Sequence, residues 1–543
     1  MHDTIENTAA AAHGRSRLSA NTLVFACLAI VILTVSPFFL VQIPPLIDAP
    51  GHLAQLAVQA AGSESPLRQY FQFHWALRLN LGTDLLVEAL RGPLGLMRAF
   101  WLITALIPAL TAVAILAVAL VANRRGAAGL GWALMFSYAW PFSYGFLNFS
   151  LSMALSILGF AVWVALAGRP RLREWLFWPL IPMLMIGHAV GGGLLVIFIF
   201  VWTCAERAEA RNLAHAGQFK VRDLVRIAVD ARPIFAVLPI ILLWKLSDHS
   251  ANLPTYFRFK SKLQALVMAL RDQNRWLDIF CVVAIVAVLI AGHRLGARYS
   301  RPARWLVAAV ALLFLAIPSH LNGASFVDMR LVPAAAILAL VLQDWSGVKR
   351  HYAMIVTAAG LALFLVRMIL TITSYSAYQQ SYDAEARALP HIASGSRVLT
   401  LLTRQCNNWQ FWRMSRLDHI SSLATVDRDA WTNSLWDLGS IHLIQVRYRP
   451  SPIFYNDPSH YVWPASCIRA NRKPPTNYEG WRNRRITIDE ALPTLPLDKA
   501  DYLWLIATKL PATPLRSRLR PVWSNGGSTL YRIVPAATAR GLT

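Results

Sequence analysis

Apolar runs long enough to cross a bilayer recur along this chain. Nothing constrains a fold more strongly, because in hydrocarbon every backbone N–H and C=O must be paired inside the protein, and a helix does this within one segment. With about 20 residues needed per crossing, such runs fall at roughly 20–42, 99–122, 127–143, 147–167, 175–188 and 189–204, and then at 233–247, 276–292, 305–318, 331–344 and 352–374. They predict an α-helical polytopic membrane protein with about eleven transmembrane helices. The stretch 175–204 is the least sharply bounded, since His188 and Gly191-Gly192-Gly193 read either as a tight turn or as a broken helix. The composition agrees, with 56% of the 543 residues hydrophobic and 15% charged.

The basic residues orient these helices. Residues 1–19 are polar and carry Arg15 and Arg17. The run after them is too long for a signal-peptide core and lacks a small-residue cleavage site, so it reads as a retained first helix. With the N-terminus inside, every second loop is basic: Arg124 and Arg125; Arg169, Arg171 and Arg173; Arg207 to Arg232; Arg294 to Arg304; Lys349 and Arg350. The formal net charge of +24 is thus largely a positive-inside signal, and nucleic acid is discounted as a partner. The expected location is the cytoplasmic (inner) membrane, with membrane lipids as surroundings.

The chain divides into three parts: a cytoplasmic tail at 1–19, a transmembrane domain at 20–374 with a long first external loop at 43–98, and a soluble extracytoplasmic α/β domain at 375–543, in the periplasm or outside. The first loop predicts two amphipathic helices, at 49–61 and 83–91. In the last third, short strand-like segments appear at Arg397 to Leu402, Ile441 to Val446, Tyr502 to Ala507 and Thr529 to Val534. Cys406 and Cys467 are the two cysteines there, placed to pair if that region faces an oxidising compartment.

This topology gathers Asp48, His52, Asp84, Glu88, Asp248, His249, His320, Asp328 and Arg330 on the external face. No zinc-ligand spacing, no phosphate-cradling Gly-rich loop followed by Lys and no Gly-x-Ser-x-Gly elbow is present, which argues against a nucleotide-driven machine and gives no support to a serine hydrolase. What remains is acid, imidazole and guanidinium chemistry at a membrane surface. Charged groups beside a bilayer core are functional candidates by default.

The stretch Ile47-Asp48-Ala49-Pro50-Gly51-His52 directly after the first helix resembles the first-loop acid of the GT-C superfamily of integral membrane glycosyltransferases. The resemblance extends through the loop's amphipathic helices, Tyr144-Gly145-Phe146-Leu147-Asn148-Phe149, the His188-Ala189-Val190-Gly191 turn, Asp328-Met329-Arg330-Leu331-Val332-Pro333 and the terminal soluble domain. It implies a GT-C-like fold, a polyprenyl-phosphate-linked sugar as donor, and a first-loop acid as catalytic residue. Family members commonly carry an acidic pair, whereas Asp48 has no acidic neighbour. That departure leaves a divalent-metal requirement and activity itself open; no cofactor is assigned, and no metal ligand.

For such a transfer a base must take the proton of an acceptor hydroxyl, on a glycan, a lipid or a protein, and cations must hold the phosphate. Asp48 is the expected base, with inversion at the anomeric carbon, and His52 a helper one turn later. Arg330, or the basic run Arg258, Lys260 and Lys262, would hold the donor phosphate. Asp328, Asp84 and His188 are candidates for acceptor binding or for structural roles.

Each residue also has a plainer reading. Asp48 suits a helix N-cap and His52 a surface position. Asp84 and Glu88 suit a solvated helix face, Asp328 and Arg330 an interfacial ion pair, and Arg258 to Lys262 lipid headgroups. His188 can satisfy backbone freed by a helix break, Tyr144 and Asn148 can serve helix packing, and Trp409, Trp412, Trp431 and Trp436 can form aromatic core. Two other functions fit many helices with few charges: a transporter or flippase of lipid-linked sugars, for which no internal symmetry is visible, and a non-catalytic membrane assembly protein.

Overall fold

The structure, a computed structural model, describes residues 20–122, 127–213, 216–247, 255–321, 324–404, 412–439, 441–468 and 485–535. Among these, six helices are long and apolar enough to cross a membrane, or seven if a pair bent by 69° counts as one span. The chain is therefore an integral membrane protein. The main membrane helices are α1 (Ala20–Val35, continued by a 3-10 turn Ser36–Leu40), α2 (Leu96–Ala122), α3 (Leu147–Ala165), α4 (Ala189–Ala210), α5 (Arg275–Arg294) and α6 (Arg350–Ala386).

The remaining runs are helical but short or interrupted, for local reasons. The run at 127–143 breaks into Leu130–Leu134, a 3-10 turn and Trp140–Tyr144, the last opening with Pro141 early in its first turn. Pro170–Gly187 holds Pro179 and Pro182 and begins among Arg171, Arg173 and Glu174. Arg301–Ala316 and Leu331–Val341 have 16 and 11 residues. At 188 the chain breaks between two helices, and His188 caps the second.

The long loop after the first helix carries the two expected helices, Ala49–Ala60 and Gly82–Leu94. Between them lies a strand that hydropathy does not suggest, β1 (Phe71–Phe73). The C-terminal part contributes β2 (Arg397–Thr403), β3 (Trp431–Thr432), β4 (Ile444–Val446), β5 (Tyr461–Val462), β6 (Tyr502–Ile506), β7 (Leu519–Ser524) and β8 (Thr529–Ile533). One mixed sheet runs β3-β2-β6-β8-β7, with β5 also on β2; the partners of β2 are parallel and the β6-β8-β7 edge is antiparallel. β1 pairs with β4, Phe71 opposite Val446 and Phe73 opposite Ile444. Ala54, Val58 and Phe71 of the first loop share one apolar core with Leu399, Leu401, Trp431, Leu503 and Leu505. Loop and C-terminal sheet are one packed unit.

Helix α6 runs past the expected domain boundary at 374/375 and continues to Ala386. The C-terminal end of this helix holds the segment 412–419. Tyr378 donates to the carbonyl of Met414 (3.1 Å), Tyr382 to that of Arg416 (2.7 Å), and the Arg416 side chain pairs with Asp272 and donates to Ser374 Oγ (2.9 Å). Two turns nearer the start of the helix, Arg367 pairs with Asp278 of α5 (2.7 Å), whose other oxygen accepts from Trp412 Nε1 (2.7 Å). Buried ion pairs fix register more than they add stability, and here they hold residues 412–419 over the membrane helices.

Candidate active site

Asp48 stands at the N-cap position of Ala49–Ala60, yet its side chain makes no capping bond. The capping reading is thus corrected, and the cause is local. A capping oxygen usually accepts from the N–H of the second or third helical residue; the second is Pro50, which has none, and the backbone of Asp48 is helical (φ −88°, ψ −4°) rather than extended. The carboxylate turns instead into a cavity of about 630 Å³. The backbone is held there by Asp48 N–H donating to Tyr144 O at 2.9 Å. That approach requires Gly145, which has φ +115° and whose ideal Cβ would lie 2.8 Å from Asp48 Cβ.

The cavity joins residues distant in sequence. His52, Tyr144, Asn148, His188 and Arg330 line it together with Arg404, His419, Trp436, His442, Asp457 and Tyr461 of the C-terminal part. Leu79, Met185, Ile241, Trp244 and Leu321 give it apolar walls. Arg330 donates to Ser325 O (3.2 Å), meets His188 Nε2 at 3.0 Å and lies 4.3 Å over the ring of Phe146. His188 Nδ1 in turn accepts from the N–H groups of Val190 (3.1 Å) and Gly191 (3.3 Å).

Beside Asp48, His419 Nε2 lies 3.8 Å from Asp48 Oδ1, 3.7 Å from Asp457 Oδ1 and 3.0 Å from the Tyr461 hydroxyl. His419 Nδ1 is 3.0 Å from the Ser434 carbonyl, which can only accept; by that partner the ring proton sits on Nδ1, and Nε2 carries a lone pair. Arg404 is 3.5 Å from Asp418 and 4.3 Å over the Tyr461 ring.

Burial dominates the electrostatics. It raises Asp48 well above the ordinary carboxylate value; Asp457 and Asp418 add to the rise, and Arg404 and Arg330 oppose it. Asp418 is pushed up to about 6 by burial against the pull of Arg404. Burial pushes His52 down to about 4, despite hydrogen bonding with Gln55 and the Gly145 backbone, and holds His419 well below its ordinary value, helped by His460 and Arg404. The site thus combines a basic carboxylate with neutral imidazoles.

Other expected residues lie elsewhere. Arg258 and Lys260 are exposed and do not line the cavity. Asp328 is fully buried and pairs with Lys262 (3.4 Å), accepting also from Ser319 Oγ (2.9 Å), so its ion-pair partner is not Arg330. Asp84 is not on a solvated face. It accepts from Asn148 Nδ2 (3.1 Å), borders a small polar pocket with His52 and His442, and is raised to about 6 by burial. His52 is not a surface group either, since its ring meets Trp436 edge-on with centroids 5.5 Å apart. Trp431 is core, whereas Trp436 lines the cavity. Cys467 is disulfide-bonded; Cys406, Asp248, His249 and Trp409 lie outside the described residues.

Arg404, Asp418, His419, Asp457 and Tyr461 are missed by sequence reasoning. The available signal was the density of acid and imidazole in Asp418-His419 and Asp457-Pro458-Ser459-His460-Tyr461, which only the fold connects to Asp48. Among the described residues no group of three or more His, Cys, Asp or Glu side chains is placed to hold a metal ion, and the lone pair of His419 is engaged by Tyr461.

No protein-family model matches the chain, and no curated protein does. A solved structure similar to it is that of ArnT from Cupriavidus metallidurans bound to undecaprenyl phosphate, 12% identical, covering 95% of this chain and 99% of the other at a TM-score of 0.45. At that level of similarity the likeness bears no weight, and the functional reading stands on the cavity.

Proposed function

We propose that this protein is a GT-C-type membrane glycosyltransferase, which moves a sugar from a polyprenyl-phosphate-linked donor to an acceptor hydroxyl at the external face of the cytoplasmic membrane. One observation carries the reading: a carboxylate made basic by burial, Asp48, and a guanidinium, Arg330, line the same apolar-walled cavity. In the proposed reaction the hydrocarbon chain lies along Met185, Ile241 and Trp244, and the phosphate meets Arg330, whose planar fork suits a phosphoryl group. Asp48 removes the acceptor proton as the hydroxyl attacks the anomeric carbon from the face opposite the phosphate, so configuration inverts. The polyprenyl phosphate departs as an anion and needs no proton.

A positioned base contributes about 10²- to 10⁴-fold in rate. Transfer by purified, folded Asp48→Asn should fall by that order, measured with polyprenyl-phosphate sugars as donors. Turnover equal to wild type would remove Asp48 from the mechanism, and liposomes that translocate lipid-linked sugar without covalent transfer would favour a flippase instead.

A further inference from the structure

Asp48 must release the proton it takes before it can act again, and its surroundings make release unfavourable. The carboxylate is largely buried, and two further acids, Asp457 and Asp418, act on it through space. The group beside it that presents a lone pair is the imidazole of His419, supplied by the C-terminal part; burial disfavours its protonation, while Asp48 and Asp457, both within 4 Å of Nε2, favour it.

We propose that His419 is a positioning and relay residue for Asp48, so that the C-terminal part completes the chemistry of a base carried by the first external loop. The proposal rests on the transferase reading. In the balanced step, the acceptor oxygen forms the new bond to the anomeric carbon while the bond from that carbon to the phosphate oxygen breaks with its electron pair. The acceptor proton moves to Asp48 Oδ1 and on to His419 Nε2. The resulting imidazolium returns the proton to water once product leaves.

Four features support this. First, the bond from Nδ1 to the Ser434 carbonyl fixes the tautomer, leaving Nε2 as the atom that faces Asp48. The 3.8 Å separation is one that catalytic pairs shorten when substrate is bound. Second, Asp457 Oδ1 lies 3.7 Å from the same nitrogen and would stabilise the imidazolium. Third, the Tyr461 hydroxyl donates to Nε2 in the resting state and can rotate to accept once that nitrogen is protonated. Fourth, the ring is held in place, packed on Trp436 at 4.6 Å, and Trp436 itself receives a hydrogen bond from Gln55 of the Asp48 helix through its carbonyl (3.1 Å).

The charged and titratable groups that face His419 are Asp48 and His52 from the first loop, Asp418 beside it in sequence, Asp457 and His460 from the segment before β5, Tyr461 at the start of β5, and Arg404 after β2. The imidazolium would therefore meet two carboxylates within 4 Å, and Arg404 is balanced by Asp418.

The test measures transfer against pH for wild type, His419→Gln and Tyr461→Phe, with donor KM and a thermal melt for each. His419→Gln should lower kcat by about 10²-fold, leave donor KM within about twofold of wild type and remove the imidazole limb from the pH profile. Tyr461→Phe deletes only the hydroxyl that favours the neutral ring, so it keeps the fold and moves that limb to higher pH. If both variants retain the wild-type profile while wild type transfers sugar, the relay is overturned and the transferase reading stands. If wild type transfers no sugar from any polyprenyl-phosphate donor, both are overturned.

Discussion

The indole of Trp436 fills the space that a β-carbon on residue 51 would need: an ideal Cβ at Gly51 lies 2.1 Å from Cζ3 and 2.4 Å from Cη2 of that ring. Gly51 is three residues from Asp48 and belongs to the same helix, so one ring from the C-terminal part is seated on the backbone that carries the proposed base.

Gly51→Ala should therefore displace Trp436. Overpacking of this kind typically destabilises by about 1–3 kcal/mol. Adding Trp436→Ala relieves the clash, so the double variant should be more stable than the sum of the single effects by about 0.5–3 kcal/mol. Thermal unfolding of the four proteins in detergent gives the coupling directly; strict additivity would mean that the two residues do not touch.

Gly145→Ala acts on Asp48 from the opposite side. A side chain at φ +115° is strained whatever the space, at about 1–3 kcal/mol, and the new methyl collides with Asp48. Transfer should fall at least tenfold at a temperature where the protein remains folded. Gly92→Ala, where nothing lies within 4 Å of the new Cβ, is the control and should leave both turnover and melting near wild type.

Arg330→Lys keeps the charge but not the planar fork, while Arg330→Ala loses both. Charge-assisted hydrogen bonds contribute about 1.5–3 kcal/mol, so Arg330→Ala should raise donor KM about tenfold or more, with Arg330→Lys between it and wild type. Steady-state kinetics with varied donor separate this from an effect on kcat alone.

Asp84 provides a pH test of stability. Burial raises it from 3.8 to about 6, so between those values the folded chain holds a proton that the unfolded chain has lost. Its contribution is present below about pH 4 and fades as pH rises through 6; the rise corresponds to about 3 kcal/mol. Asp84→Asn removes this dependence, and its stability relative to wild type should increase from pH 4 to pH 7 in chemical unfolding. His52 and His460, both pushed down to about 4 by burial, act with the opposite sign, which is why the comparison is made between the two proteins at each pH.

Arg367→Ala would leave Asp278 buried without its cation, at about 3–5 kcal/mol. The double change Asp278→Leu with Arg367→Met should recover much of this loss. Melting temperatures of the two variants decide it.

The helices and half of the site were legible in the sequence because hydropathy and isolated charge are local signals. An acid after one apolar run and a guanidinium before another stand out, as Asp48 and Arg330 do. The strands at 397, 444, 502 and 529 were legible through their short apolar runs. Pairing between Phe71–Phe73 and Ile444–Val446 was not, since no local preference specifies a partner more than 300 residues away. His419 and Asp457 lie in mixed polar sequence, where an acid or an imidazole creates no contrast. Asp328 misled for a geometric reason: two positions from Arg330 at the start of a helix, their side chains do not face each other, and Lys262 reaches the carboxylate from another helix.

The pairing of first loop with last sheet also sets an order of events during synthesis. A ribosome releases Asp48 near the start of translation, but the strand that binds Phe71–Phe73 and the imidazole beside Asp48 emerge only after more than 400 residues. Until then Asp48 lacks the walls that Arg404, His419, Trp436, Asp457 and Tyr461 give the cavity. On the proposed mechanism, a truncated or stalled product would therefore hold the base without the imidazole and acids that face it.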